Sequence, residues 1–516
     1  MPRRAFLTLF LMLPLFLAAG WVMLQGQDAT IDFRNYHVYN AYALLEGREA
    51  VDIGVAQRQG FFNPALDVPF YMLSVGLSPF AASVMLGLVQ ALNVTLLAWL
   101  ALRVLRESGE EDNKLLAAAV VTGACTPLFL GELGLTMGDS LVSLGVLGAL
   151  CCLVSGRYAL AGLLIGLAVG LKPTNGPYAL GLFGAALFLA GRRWFPAGLA
   201  YGAAGVAGLL ASGGWWAWHL WKLYGNPVFP QFNDVFLSPY APPSPFLDAR
   251  YFPKTWWEAL AFPLVRNAWT MDAGGDYMHD LRFPLLILAV PCAAAFAALT
   301  WRRRVPAQGR TGIALLIFAA VSYVAWLKSF AIYRYLLPLE MLAPLLFAVL
   351  LAVAGLQGKK RRVAALAFCA AALASFTPVP FPRAPWDVSL AGAELPGDMK
   401  LDGALVVVTG RARVGYAVPS FPASTAFARI DGNLFRQWEN GVLSAPAYGE
   451  AMHEKLWKRI TEHEGELYAL YAEDSLIGPH EALVFFQLEI LENSCQPLPT
   501  RLEKGLHLCR LKRKDV

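Results

Sequence analysis

The sequence predicts a polytopic α-helical membrane protein of about eleven spans with a small α/β domain at its C-terminal end. Three observations carry that prediction. First, 57% of the 516 residues are hydrophobic and only 15% are charged, and the mean hydropathy is +0.48; a soluble domain carries about 25% charged residues. Second, long apolar runs recur through residues 1–380, and the basic residues between them fall on alternate loops. Third, from residue 381 the runs give way to shorter strand-like and amphipathic stretches.

The first run, AFLTLFLMLPLFLAAGWVML (5–24), follows Arg3 and Arg4. A basic start before an apolar core is also the shape of a signal peptide. A length of about 20 residues crosses a bilayer, and no small-x-small cleavage site follows, so a retained anchor is expected. Further runs occupy 84–105, 115–132, 138–154, 158–171, 177–191, 195–220, 283–300, 312–328, 336–356 and 363–377. With the N-terminus in the cytoplasm, the inside loops hold Arg3 and Arg4, RESGEEDNK (106–114), Arg157, Arg192 and Arg193, WRRRVPAQGR (301–310) and GKKRR (358–362). That distribution satisfies the positive-inside rule at every cytoplasmic loop. The odd number of spans leaves the C-terminus outside.

Two outside loops are long, 25–83 and 222–282, and both are rich in Trp, Tyr, Phe, Pro and Asp, as chain at the membrane interface is. In the tail, GALVVVTG (403–410) reads as a buried strand with a glycine turn, AYGEAMHEKLWKRITEHEG (447–465) as an amphipathic helix, and LYALYAE (467–473) and LHLCRLKRK (506–514) as strands. The predicted division is therefore 1–380 and 381–516. Five of the seven cysteines lie in apolar runs; Cys495 and Cys509 lie in the tail. In an oxidising outer compartment, such as a bacterial periplasm, these two are expected to pair.

The unusual polar residues all fall on the outer face. QDATIDFRNYHVYNAYALLEGRE (27–49) directly follows the first run and contains Asp28, Asp32 and His37. As a helix over 31–46 it places Ile31, Val38, Tyr42 and Leu45 on one face, and Asp28, Asp32, Asn35 and Tyr39 on the other. That is an amphipathic helix lying on the membrane surface with a polar row facing up. The plain alternative for Asp32 is helix-start electrostatics behind an N-cap at Thr30. GELGLTMGDSLVSLG (131–145) sets Asp139 at the mouth of the fourth span, either in a polar cavity or as a cap with Ser140. GLKPTNGPY (170–178) breaks the helix and aims Lys172 outward, where it holds a ligand or snorkels. YGNPVFPQFND (224–234) is fixed by two Xaa-Pro turns and carries Asn226. KSFAIYRYLLPLE (328–340) puts Arg334 between Tyr333 and Tyr335 at the interface. A guanidinium there suits a phosphate head group.

Together, IDFRNYHVYNAYALLEGR, GLKPT, GNPVFP and YRYLLPL make residues 1–380 resemble the GT-C glycosyltransferases, polytopic enzymes that use polyprenyl-phosphate sugars. The plan is similar to that of the bacterial aminoarabinose transferase and the protein O-mannosyltransferases. The resemblance implies inverting sugar transfer on the extracytoplasmic face, with an Asp of the first loop as general base. Many members carry an adjacent acidic pair in that loop; here Asp28 and Asp32 stand four apart. By placement the base is Asp32, with Asp28 next, and the looser pair leaves a divalent metal open. Asp139, Lys172, Arg334, Tyr335, His37 and Asn226 carry over as substrate-binding candidates. The implied partners are a polyprenyl-phosphate sugar donor and membrane lipid, and the implied location is the bacterial inner membrane. A transporter of lipid-linked saccharide would show internal repeats and deep charges, which are absent from the pattern. A polysaccharide polymerase or ligase stays open. The basic residues follow topology, which leaves nothing for nucleic acid.

Overall fold

Each of the eleven apolar runs is helical in the computed structural model, which describes residues 3–107, 112–248, 251–265, 280–300, 309–390, 392–410, 412–432, 438–439, 442–443, 449–472 and 479–514. The basic stretch 301–308 and residues 108–111 lie outside those described. The described chain forms two compact units. One comprises 1–25, 84–214 and 248–381, and the other 26–83, 215–247 and 382–516.

The first unit is a helical bundle. Among the described residues, Thr8–Gln25, Pro79–Glu107, Pro173–Tyr224, Arg310–Ser329 and Tyr333–Val353 are long and apolar enough to cross a membrane; Asn113–Ala124, Asp139–Val154 and Tyr158–Leu171 are apolar but shorter. The helix Leu337–Val353 is buried nearly all round, as a helix apolar on every face should be. Against it pack Asn113–Ala124, Arg282–Thr300 and Gly358–Ser375. Tyr158–Leu171 and Trp194–Leu209 approach backbone to backbone: a Cβ on Gly162 would meet the Tyr201 carbonyl oxygen at 2.0 Å, and one on Gly166 the Gly205 oxygen at 2.0 Å. Small residues at four-residue spacing permit this contact, the main attraction left to helices in lipid.

The second unit is a three-layer α/β structure. Its main sheet runs Ala426–Arg429, Leu405–Val408, Leu467–Ala472, Leu506–Arg513 and Leu488–Ile490. The first three strands are parallel; Leu506–Arg513 is antiparallel to Leu467–Ala472, to Leu488–Ile490 and to the short Gln496–Pro497. Val406 and Val408 face one core with Tyr36, Tyr39 and Tyr42, while Leu405 and Val407 face the other with Phe229, Met452, Leu456 and Ile460. Strands buried on both faces explain the unbroken LVVV run. Cys495 and Cys509 are disulfide-bonded, 14 residues apart.

One expectation changes. Residues 31–45 are helical, with a π-helical turn at Phe33–His37, but this is not a surface helix with a polar row turned up. Asn35 and Tyr39 are buried, and Gly415 of the tail packs so closely that a Cβ there would lie 2.1 Å from the Asn35 carbonyl oxygen. The tail covers the face that, read alone, looks solvent-exposed.

Candidate functional site

In the helical unit, a cluster of charged groups is assembled by three chain breaks. Thr126 caps the short helix Pro127–Glu132, its hydroxyl accepting from the Phe129 N–H at 3.1 Å. The chain then turns through Gly134 and Gly138, both at positive φ, before Asp139 opens the helix Asp139–Val154. Gln90 clamps the turn: its amide donates to the Leu135 carbonyl at 3.1 Å and accepts from the Gly134 N–H at 2.7 Å. The Asn93 amide holds the Ser140 carbonyl at 2.7 Å. Lys172 is extended (φ −145°, ψ 101°) because it precedes Pro173, and so it ends the helix Tyr158–Leu171. Arg334 sits on the single 3₁₀ turn Tyr333–Leu336 that leads into Leu337–Val353.

These breaks bring their side chains together. Lys172 Nζ lies 2.6 Å from Asp139 Oδ1 and donates to the Met137 carbonyl at 2.7 Å. Arg334 Nε lies 3.0 Å from Asp139 Oδ2, an ion-pair contact whose angles fall short of a hydrogen bond. Tyr335 lies under both cations, its ring centroid 5.7 Å from the ammonium and 5.5 Å from the guanidinium. The Tyr178 hydroxyl donates to the Tyr335 carbonyl at 2.5 Å and fixes that turn. A second carboxylate, Glu132, is fully buried; its Oε2 accepts from the Ser140 N–H at 2.9 Å, and its Oε1 has no hydrogen-bond partner. The cations keep 15% and 16% of their side-chain surface, against 5% for Asp139. The cations are therefore more accessible than the carboxylate they pair with, an arrangement suited to an anionic ligand.

Glu132 was not singled out by sequence reasoning. Its signal was an acidic residue seven positions before Asp139, at the end of an apolar run. Glu340 is another. It is fully buried, its Oε1 accepts from the Tyr333 hydroxyl at 3.0 Å, and its Oε2 accepts from the Leu128 N–H at 3.3 Å. One carboxylate thus ties the turn carrying Arg334 to the helix that leads into Glu132.

The other candidates belong to the α/β unit. Asp28 is fully buried; its Oδ1 accepts from the Thr30 N–H at 2.9 Å and the Thr30 hydroxyl at 2.7 Å. Thr30 in turn accepts from the Phe33 N–H at 3.2 Å, so it does cap the helix start. Asp32 is half-buried and makes no side-chain cap. His37 is buried with Nδ1 2.7 Å from Asp67 Oδ1, while Nε2 has no hydrogen-bond partner. Asn226 is buried and its amide serves its own loop, donating to the Gln231 carbonyl at 3.0 Å and accepting from the Val228 N–H at 2.9 Å. Asp52 is fully engaged by Arg48, Tyr39 and the Phe427 N–H; burial still raises its carboxyl above the ordinary range, against the lowering by Arg48. Among the described residues, no three His, Cys, Asp or Glu side chains gather as a metal site requires.

The family match, set beside a helical membrane unit and a small α/β unit, makes this a membrane glycosyltransferase of the GT-C type. The chain belongs to glycosyltransferase family 87, whose model matches residues 67–332, just over half of it. Its fold is similar to that of arabinofuranosyltransferase AftD from mycobacteria, solved by single-particle cryo-electron microscopy, with a TM-score of 0.50 and 17% identity over 99% of this chain and 42% of that one. The chain therefore spans less than half the length of that relative. No curated protein matches it. The family sets aside the transporter alternative.

Proposed function

We propose that the chain transfers a hexosyl or pentosyl group from a polyprenyl-phosphate donor to a glycolipid, polysaccharide or protein acceptor on the extracytoplasmic face of a bacterial inner membrane. The observation that carries this reading is the pair Lys172 and Arg334, gathered on Asp139 and backed by Tyr335, both cations more accessible than the carboxylate. In this reading the two cations hold the donor phosphate. Asp32 takes the proton from the acceptor hydroxyl as its oxygen attacks the anomeric carbon. The sugar–oxygen bond to phosphate breaks, and polyprenyl phosphate leaves as an anion toward Lys172 and Arg334. Attack opposite the leaving group inverts the anomeric centre. Asp28 is the less suitable base, because Thr30 already occupies one of its oxygens.

A specific observation favours a second base. Asp67 holds His37 Nδ1, which keeps the proton there and leaves the Nε2 lone pair without a hydrogen-bond partner. Base and orienting carboxylate stand here in the relation that general-base catalysis uses.

Turnover of purified protein with a polyprenyl-phosphate sugar separates these roles. Asp32→Asn keeps the shape and should lower kcat by about 10²–10⁴-fold, the usual worth of a general base. Arg334→Ala should mainly raise the KM for the donor, because it removes a charge-assisted contact. Near-normal turnover in Asp32→Asn together with an inactive His37→Gln moves the base to His37.

A further inference from the structure

The α/β unit holds a cavity that no step above uses. Its interior volume is about 50 Å³, room for a few water molecules, and it is open at its mouth. We infer that it is a subsite for a neutral sugar ring of the acceptor glycan; this rests on the reading of the chain as a glycosyltransferase that extends a glycan.

The walls have the chemistry that a sugar ring needs. Phe61, Trp216 and Tyr224 supply aromatic surface, whose negative π faces suit the weakly positive C–H side of a sugar. Those rings are held in place. The Trp216 indole donates to the Phe61 carbonyl at 2.9 Å, and Phe61 meets Tyr224 edge-on at 5.3 Å. Trp216 also stacks on His219, centroids 5.1 Å apart and planes within 22°. His219 Nε2 lies 2.5 Å from Glu49 Oε2, and both side chains remain about one-third exposed, at 37% and 33%. This pair offers hydroxyls a donor and an acceptor together. Asn40 lines the same cavity; its Nδ2 donates to the Gln59 carbonyl at 3.0 Å, and its Oδ1 has no hydrogen-bond partner.

Charge decides the class of ligand. The described lining residues include neither lysine nor arginine, but they do include Glu49 and Asp52. A phosphate there would find no lysine or arginine on the wall to hold it and two carboxylates beside it, whereas a neutral polyol meets no such penalty. That separates this cavity from a donor-phosphate site and assigns it to the acceptor. Asn40 also lies on the helical stretch that carries Asp32, eight residues on and about 12 Å along the rise, a distance that a short glycan spans.

The test is saturation-transfer NMR on the full chain in detergent, with a panel of methyl hexopyranosides and methyl pentofuranosides and no donor present. At least one glycoside should bind saturably. Glu49→Gln and His219→Ala should each weaken that binding by about tenfold or more, the worth of one hydrogen bond to a charged group. Both residues sit at the partly exposed mouth, so the fold tolerates these changes. Arg334→Ala should leave glycoside binding unchanged, and inorganic phosphate should not compete. Absence of binding by every glycoside, binding insensitive to both variants, or competition by phosphate overturns the assignment. The measurement needs no turnover, so its failure leaves the role of Asp32 to its own assay.

Discussion

Lys172, Arg334 and Asp139 were legible because each stands where an apolar run is broken by Pro or Gly, and such breaks are where a membrane helix tolerates charge. Glu340 was not legible. It closes the stretch YRYLLPLE, and nothing local says that its partners are a tyrosine seven residues back and an amide 212 residues away. Both of its oxygens accept, so Glu340→Gln turns one buried donor toward an NH₂ group. Leaving a buried donor unpaired costs about 1–3 kcal/mol. Glu340→Gln should therefore lower the thermal midpoint in detergent. It should also raise the donor KM, since Tyr333, which it releases, adjoins Arg334. A stable variant with an unchanged donor KM would show that the tie between the two segments is idle.

At the scale of elements, the helices and the tail strands at 405–408, 467–472 and 506–513 followed from pattern alone. The strand Ala426–Arg429 did not, because AFAR is too short to show a period. The helix 31–45 was found, but its faces were misread. A helix buried on two sides by segments far along the chain has no polar side to display, and its Asn and Tyr residues serve inside the unit. The helices Tyr158–Leu171 and Trp194–Leu209 also gain meaning only as a pair. Gly166 allows the Gly205 carbonyl to approach its Cα directly, and a Cβ would sit 2.0 Å from that oxygen. Gly166→Ala should therefore destabilise by about 1–3 kcal/mol, as overpacking does. Gly202, on the partner helix, has no neighbouring atom within 4 Å of where a methyl group would project, so Gly202→Ala should be neutral or slightly stabilising through helix propensity. Equal shifts in the thermal midpoints of the two variants would mean that the close approach contributes nothing.

For the molecule as a whole, the composition of the α/β unit limits how the chain crosses the membrane. Residues 26–83, 215–247 and 382–516 meet in one core, where Ile53, Phe229 and Leu405 pack together, so they must lie on one side of the bilayer. The chain must then cross an even number of times between 83 and 215, and again between 247 and 382. The sequence expects six spans in the first interval and four in the second, which satisfies that parity. That parity is independent of charge, and the positive-inside reading of the sequence expects Arg157, Arg192, Arg193 and GKKRR in the cytoplasm. The expected topology, with the N-terminus inside and the C-terminus outside, can be tested directly. A C-terminal fusion to alkaline phosphatase, which needs the oxidising outer compartment, should be active, and a fusion to green fluorescent protein should be dark. A phosphatase fusion after Arg193 should be inactive, since that loop is expected inside. The reverse pattern would put Asp32 and the sugar cavity in the cytoplasm, and the extracytoplasmic reading of the reaction would fall with it.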